Sequence, residues 1–307
     1  MDKPRTLLRN PARLKRKSKH AAGSLLRYFL LIGVGVVFLY PILYMIVNSF
    51  KNVTDLVNPT IEWVPSSLYI GNFRKALQVL DYGRSFVFTL LLVTAATLLQ
   101  TLCCSLAGYA LARHRFPLKG MWIVMIVATF IIPTQVTLIP KYLLYTTYHL
   151  VDSPLAVLVP SAFGQGVNSA IFILVFYQFF SSYPKSFDEA AQMDGAGLWK
   201  VFFRIALPIC VPAVIISLLF SFVWTWNETY TSGTLMGKSF RTLPMKLASF
   251  VESYNTAYSS GTAGLSRLNE GIRLSATMLV IAPLLALYLV LQRQFIEGIE
   301  STGLTGE

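Results

Sequence analysis

The sequence predicts an all-α membrane protein with six transmembrane helices, and two observations carry that prediction. Of its 307 residues, 54% are hydrophobic and only 13% are charged, whereas soluble domains carry about 25% charged residues. Six stretches without a charged residue reach the roughly 20 residues that a helix needs to cross a hydrocarbon core about 30 Å thick. This composition excludes both an ordinary soluble domain and a disordered chain.

The six predicted spans follow one another along most of the chain. In order, they cover approximately residues 28–50, 86–111, 121–140, 153–180, 205–226 and 274–292. The first span follows a basic segment, but its apolar core is too long for a cleaved signal peptide and no small-residue cleavage pattern follows it. We therefore expect this span to remain as an anchor.

Several predicted spans contain helix-breaking residues. Prolines fall within or beside them at positions 41, 133, 140, 160, 208, 212 and 283, and the fourth span carries Gly164, Gln165, Gly166 and Asn168 near its middle. A proline frees a backbone carbonyl, which at membrane depth needs a partner from protein or from water in a cavity. Two interpretations stay open: kinked helices around a water-accessible path, or ordinary packing between membrane helices.

The distribution of Lys and Arg predicts the orientation in the membrane. With the N-terminus inside, the inner segments 1–27, 112–120, 181–204 and 293–307 hold 16 basic residues in 75, and the outer segments hold 10 in 94. Basic residues concentrate on the cytoplasmic side, so both termini are expected to be cytoplasmic. The basic segment 1–27 is then a topology determinant that touches anionic lipid, and nucleic acid is not expected as a partner.

The connection between the fourth and fifth spans, residues 181–204, carries a short helix signal. Ser186 and Glu189 form the S-x-x-E pattern of a capping box, and Gly195 is placed to end a helix in the left-handed conformation. We therefore expect a helix of about two turns, roughly 12 Å long, from Phe187 to Asp194.

One side of this helix is expected to form a ridge of mostly small side chains. The spacing i, i+3, i+4, i+7 places four residues on the same side: Phe187, Ala190, Ala191 and Asp194. Such a ridge suits insertion into a partner's cleft. The following residues 198–203, LWKVFF, are amphipathic and are predicted to lie along the membrane surface before the chain turns inward at Pro208.

The same connection carries a longer pattern. Glu189-Ala190-Ala191 is followed after three residues by Gly195, after nine more by Ile205, and after one more by Leu207-Pro208. At this full spacing, just before the penultimate span, the pattern resembles the EAA signature of ATP-binding-cassette importer permeases.

Three further strings narrow the resemblance to the carbohydrate-uptake group, and within it to the shorter permease of the maltose-transporter-like pair. They are WNE at Trp226–Glu228, TLP at Thr242–Pro244 and the C-terminal QRQFIEGIESTGLTGE. The resemblance covers the chain from about residue 25 onward. Two features depart from the group: the loop from Glu252 to Gly271 is longer and richer in Ser, Gly and Asn, and the tail ends in GLTGE instead of a small basic motif.

The resemblance implies the type I importer fold and a defined set of partners in a bacterial plasma membrane. This chain would pair with a second permease, and an extracytoplasmic solute-binding protein would deliver a carbohydrate. Two cytoplasmic ATPase subunits would bind ATP and Mg, so this chain would need no cofactor and would not be an enzyme. Glu189, Ala190, Ala191, Asp194 and Gly195 would form the helix that couples ATPase closure to the spans, as a rigid-body movement.

Both Glu189 and Gly195 also have a purely local interpretation. A capping box alone accounts for a glutamate at the third helical position, and helix termination alone accounts for the glycine. The two interpretations are compatible, because the cap shapes the element that docks.

Signals for other chemistry are weak. Residues Gly233 to Ser239 resemble a phosphate-binding loop, but three residues separate the two glycines where the motif needs four. ATP hydrolysis is therefore expected to belong to another chain. The three histidines are far apart and the three cysteines show no C-x-x-C spacing, so neither a metal site nor a disulfide framework is predicted.

Candidates for the substrate path lie at the outer end of the fifth span. Aromatic faces and directed hydrogen bonds bind sugars, which suits Trp224, Trp226, Asn227 and Glu228. Their alternative is an interfacial aromatic belt. Gln135, Asn168 and Ser221 are weaker candidates.

Two other functions stay open. The EAA signature is shared by importers of other polar solutes, such as a polyamine or phosphate. A secondary transporter or channel that works alone belongs to a different class, but such proteins place charged residues at membrane depth, and the six apolar cores hold no Asp, Glu, Lys or Arg.

Overall fold

A computed structural model describes residues 11–237, 239–258 and 268–303, with side chains described for residues 23–237, 239–258 and 268–293. Every regular element in these residues is helical, so the all-α prediction is confirmed. The basic N-terminal segment, the long outer loop and the C-terminal tail each lie partly outside the described residues.

The chain divides into two compact units. The first unit comprises residues 1–73 and 269–275, and its helices are α1 (Pro11–Ser49), α2 (Val53–Val57) and the start of α16 (Glu270–Gly303). The second unit comprises residues 74–268 and 276–307. α3 (Gly71–Leu80) begins at the boundary and runs into the second unit.

The second unit contains most of the helices. They are α4 (Tyr82–Arg113), α5 (Lys119–Ile131), α6 (Thr134–Thr147), α7 (Leu155–Ala162), α8 (Ser169–Ser182), α9 (Ser186–Met193), α10 (Leu198–Val201), a π-helical turn (Phe202–Ala206), α11 (Leu207–Ile209), α12 (Val211–Asn227), α13 (Tyr230–Leu235), α14 (Leu243–Ala248) and α15 (Phe250–Tyr258).

In the first unit, buried polar groups hold the chain that follows α1. The Lys51 ammonium donates to the carbonyls of Ile61 at 2.8 Å and Glu62 at 2.7 Å. The Asn72 amide donates to the carbonyls of Ser49 at 3.0 Å and Lys51 at 2.8 Å. Because buried polar groups are costly unless they are bonded, these contacts fix the path of the segment that follows α1.

The core of the second unit lies between α4, α8 and α12. Its buried aromatic residues include Tyr109, Phe176, Phe180 and Phe202. α4 and α8 approach closely at Gly108, where a Cβ atom would lie 2.5 Å from the Cβ of Phe176. Small residues permit such close contact between membrane helices. This packing places the C-terminal end of α8 beside the C-terminal end of α4.

Three of the predicted spans are confirmed as single helices that are long and apolar enough to cross a membrane: Gly23–Ser49, Tyr82–Arg113 and Glu270–Arg293. They correspond to the first, second and sixth predicted spans. With two further helix pairs that are bent, the described residues contain three to five candidate spans by length and composition.

The other predicted spans are broken. The third, 121–140, covers most of α5 and the first half of α6, and these two helices meet at an angle of 102° at Pro133. The fifth, 205–226, bends by 81° between α11 and α12. Proline has no backbone N–H, which explains the break at Pro133.

The fourth predicted span, 153–180, is two short helices and not one. α7 ends at Ala162 and α8 begins at Ser169. Gly164 and Asn168 adopt left-handed backbone angles between them, with φ of 66° and 53°. A left-handed residue cannot continue a right-handed helix, so the apolar run is interrupted. Hydropathy does not detect this interruption.

Candidate functional site

The predicted short helix in the connection 181–204 is present as α9. It spans eight residues, Ser186–Met193, which corresponds to about 12 Å. Its length and place match the expectation within one residue at each end.

The predicted capping box at the start of α9 is wrong. Lys185 occupies the N-cap position with helical angles, φ −66° and ψ −22°, and no side chain caps the helix. Because Pro184 and Lys185 already begin the turn, their carbonyls accept from the N–H groups of Phe187 and Asp188. Ser186 therefore lies inside the helix, past the position from which a hydroxyl can cap it.

The end of α9 is formed as predicted. Gly195 is left-handed, with φ of 77°. Its N–H donates to the carbonyl of Gln192 at 3.0 Å, and the N–H of Ala196 donates to that of Ala191 at 2.9 Å. These two bonds make a Schellman motif. A Cβ atom at position 195 would meet nothing within 4 Å, so only backbone strain opposes a side chain there.

The predicted ridge faces away from the body of the protein. Phe187 is 53% exposed, Glu189, Ala190 and Asp194 are exposed, and Ala191 is partly exposed. This side of α9 is therefore accessible to a partner protein.

A different side of α9 is held by Asp188, the only buried residue of this fully described helix. Its carboxylate lies 3.3 Å from Nε of Arg113, the last residue of α4. The hydroxyl of Tyr183 donates to the same carboxylate at 2.7 Å. We call Arg113, Tyr183 and Asp188 the Asp188 cluster.

Arg113 and Tyr183 also contact each other directly. Nη2 of Arg113 donates to the carbonyl of Tyr183 at 2.8 Å, and its Cζ lies 3.5 Å from the centre of the Tyr183 ring. Burial, followed by the hydrogen bond to Asp188, raises the pKa of Tyr183 above the ordinary tyrosine value. Tyr183 is therefore a neutral donor to the carboxylate at physiological pH.

The stretch after α9 is amphipathic, as predicted. Val201 and Phe202 are buried, and the Phe202 ring lies 5.2 Å from the Tyr109 ring, centre to centre. On the other side, Trp199 is 67% exposed and stacks on Phe203 at 6.1 Å.

The two tryptophans of the predicted substrate path are packed inside the second unit. Trp226 is buried, with the Phe222 ring 5.9 Å away. Trp224 is half-buried and contacts Phe172 at 5.3 Å and Phe220 at 5.5 Å. In this conformation both rings contribute to helix packing.

The two polar candidates beside them make local bonds. The Asn227 amide donates to the carbonyl of Val223, one turn back in α12. The Glu228 carboxylate accepts from the N–H groups of Thr231 and Ser232, each at 2.7 Å, at the start of α13. A carboxylate at a helix N-terminus is favourable. Their part in substrate binding stays a prediction.

The weaker candidates are dispersed. Gln135 and Asn168 are exposed, and Ser221 is buried. Ser221 donates to the amide oxygen of Gln100 at 2.9 Å, and the amide nitrogen of Gln100 donates to the carbonyl of Val167 and the hydroxyl of Ser169. Gln100 therefore links α4 to α12 and to the start of α8.

The chain matches a known family over more than half of its length. Residues 104–300 match the family described as binding-protein-dependent transport system inner membrane component. This region contains α8, α9 and α12. The chain belongs to this family. It is an ABC transporter permease and a multi-pass membrane protein.

Several curated relatives span nearly the whole permease. A probable ABC transporter permease protein, YurM of Bacillus subtilis, is 30% identical over 271 residues, 87% of this chain and 84% of the relative. AraQ of Halalkalibacterium halodurans, an arabinooligosaccharides transport system permease protein, is 26% identical over 94% of this chain and 100% of the relative. GgtD of Synechocystis, an osmoprotective compounds uptake permease protein, is 26% identical over 88% of each chain.

A solved structure has the same fold. It is a chain from the crystal structure of a bacterial ABC transporter involved in the import of the acidic polysaccharide alginate. The TM-score is 0.72 at 18% identity, over 90% of the permease and 97% of that chain.

Sequence reasoning missed the Asp188 cluster of this permease. Arg113 lies in the predicted inner connection 112–120, where its charge bears only on orientation, and no spacing rule links it to Tyr183 or Asp188. One signal is present, since Asp188 is an acidic residue next to Glu189 and lies about 100° around the helix from Phe187, beside the predicted ridge.

Proposed function

We propose that this chain is a permease subunit of an ATP-driven carbohydrate importer in a bacterial plasma membrane, with oligosaccharides as its substrate class. It pairs with a second permease, and the two enclose one translocation path. Two cytoplasmic ATPase subunits bind ATP and Mg, and a solute-binding protein delivers the sugar. The relatives named for arabinooligosaccharide and for alginate import support a carbohydrate substrate.

One observation carries the coupling role: α9 presents Glu189, Ala190 and Asp194 outward while Asp188 holds its other side to the permease. An exposed, eight-residue helix that is tied to the permease by a buried ion pair can transmit a push as a rigid body. Glu189, Ala190 and Ala191 of the EAA pattern lie on this helix, and Gly195 ends it. We infer that α9 docks on the ATPase.

The proposed topology has six spans with both termini in the cytoplasm. Residues 1–27 and 293–307 form cytoplasmic segments around a membrane domain of residues 28–292. The excess of Lys and Arg in the inner segments supports this orientation. The α7–α8 pair supplies the fourth span, and Gln100 donates to the Val167 carbonyl in its broken middle.

The glycine at the end of α9 provides the test of coupling. In the complete transporter, Gly195→Asp should leave the permease inserted and assembled but abolish uptake. Gly197→Asp is the matched control, because Gly197 is also open, with nothing within 4 Å of a Cβ, and has an ordinary φ of −70°. Wild-type uptake by Gly195→Asp at normal expression contradicts the coupling role.

Import of another polar solute is a second candidate, and one observation favours it: the relative GgtD is named for osmoprotective compounds. Uptake assays with radiolabelled oligosaccharides, compared with small polar solutes, separate the two. Uptake of oligosaccharide supports the first candidate, and uptake of small solutes alone supports the second.

A further inference from the structure

We propose that Arg113 is a positioning residue for the coupling helix α9, so that a displacement of α9 passes first to α4. The proposal rests on the proposed function, since it assumes that α9 receives the push of the ATPase. It adds the identity of the receiving helix and of the side chain that makes the connection.

Burial identifies Asp188 as the point of attachment. The other seven residues of α9 are exposed or partly exposed, whereas the side chains of Asp188 and Arg113 are only 10% and 5% exposed. Within the described helix, Asp188 is thus the side chain that ties α9 to the rest of the permease. Its charged partner belongs to α4 and not to α8 or α10, which adjoin α9 along the chain.

The cluster requires arginine rather than a positive charge alone. Nε of Arg113 lies 3.3 Å from the Asp188 carboxylate, within ion-pair distance, while Nη2 donates to the carbonyl of Tyr183 and Cζ lies 3.5 Å from the centre of the Tyr183 ring. A planar fork makes these three contacts at once, whereas a lysine ammonium is a point charge on a flexible stem. Tyr183 closes the cluster by donating to Asp188.

α4 is suited to pass a displacement onward. Its 32 residues extend about 48 Å. Next to Arg113 it contacts α8 closely at Gly108, at its middle Gln100 bonds to Ser221 of α12, and near its other end Thr89 accepts from the N–H of Leu243 in α14. A push at Arg113 therefore reaches three neighbouring helices through direct contacts.

The competing explanation is that the cluster only stabilises the fold. The two explanations predict different effects of a substitution on the ratio of solute moved to ATP hydrolysed. Loss of fold stability lowers assembly, ATP hydrolysis and uptake together, whereas a loose α9 lets the ATPase turn over with less movement of the spans.

The test uses the complete transporter in proteoliposomes, with ATP hydrolysis and uptake measured on the same preparation. Arg113→Lys keeps the charge and loses the fork. The matched control is Arg115→Lys, the same substitution at an exposed arginine two residues away. We expect Arg113→Lys to lower uptake per ATP about 5-fold or more, the lower end of a coupling free energy between sites, and Arg115→Lys to leave the ratio unchanged.

An unchanged ratio in Arg113→Lys overturns the proposal, including the case in which hydrolysis and uptake fall equally. If Arg113→Lys fails to assemble, Tyr183→Phe decides, because it removes only the hydroxyl bond to Asp188: a lowered ratio supports the proposal and an unchanged ratio overturns it. Failure of this proposal can be distinguished from failure of the proposed function. If Gly195→Asp abolishes uptake while Arg113→Lys keeps the ratio of uptake to ATP hydrolysis, α9 couples but Arg113 does not position it.

Discussion

The contact between α4 and α8 at Gly108 makes a specific prediction about packing. In Gly108→Ala, the new Cβ would lie 2.5 Å from the Cβ of Phe176, 2.9 Å from the backbone N of Tyr177 and 3.0 Å from the carbonyl oxygen of Ile173. Two of these atoms are backbone, so no change of rotamer relieves the clash. The helices must separate.

The expected magnitude follows from two opposing effects. Forcing one extra carbon into a packed core costs about 1–3 kcal/mol. Replacing glycine by alanine within a helix returns about 0.5–1 kcal/mol. Since the clash is with backbone, we expect the free energy of unfolding to fall by about 1–2 kcal/mol.

Thermal unfolding of the purified transporter in detergent measures this effect. Gly83→Ala is the control on the same helix, because a Cβ there would meet nothing within 4 Å. We expect a lower midpoint for Gly108→Ala and an equal or slightly higher midpoint for Gly83→Ala. A midpoint for Gly108→Ala at or above that of Gly83→Ala refutes the reasoning.

Three further predictions concern single side chains. Gln100→Leu should lower the unfolding midpoint, because it removes the acceptor of the buried Ser221 hydroxyl and the donor to the Val167 carbonyl, at about 1–3 kcal/mol for a buried group left unsatisfied. Trp199→Phe should remove fluorescence that brominated lipid quenches, because the exposed ring is expected at the membrane surface. The raised pKa of Tyr183 means that above about pH 10 the unfolded chain releases a tyrosine proton that the folded protein retains, so the folded state loses stability as the pH rises. Tyr183→Phe should make this loss of stability smaller.

Each of these has a contradicting outcome. An unchanged midpoint in Gln100→Leu would show that the buried amide contributes nothing net. Equal lipid quenching in wild type and Trp199→Phe would place the Trp199 ring away from lipid. Identical alkaline stability curves for wild type and Tyr183→Phe would contradict the raised pKa.

The all-α fold and the short helix α9 could be predicted because their signals are local. A long run without charge defines α1 or α4, and Gly195 fixes the end of α9 wherever the chain lies in space. The predicted capping box failed although it is also local, because Pro184 and Lys185 begin the turn earlier. An adjacent residue therefore changed which side chain could cap the helix.

The rest depends on contacts between distant parts of the chain. Arg113 and Tyr183 are 70 positions apart, and Gln100 and Ser221 are 121 apart. No spacing rule pairs such residues. The break in the fourth predicted span is invisible to hydropathy, because residues 163–168 remain uncharged while the backbone turns left-handed at Gly164 and Asn168. The burial of the Trp226 side chain likewise depends on its neighbours in the fold.

Reconstitution in liposomes tests the central claim most directly. The permease is placed in liposomes alone, and separately with its second permease, ATPase subunits and solute-binding protein, and radiolabelled oligosaccharide uptake is measured with and without ATP. We predict uptake only with all companions and ATP present. Uptake by the permease alone, without ATP, would contradict the claim that a separate ATPase drives this chain through α9.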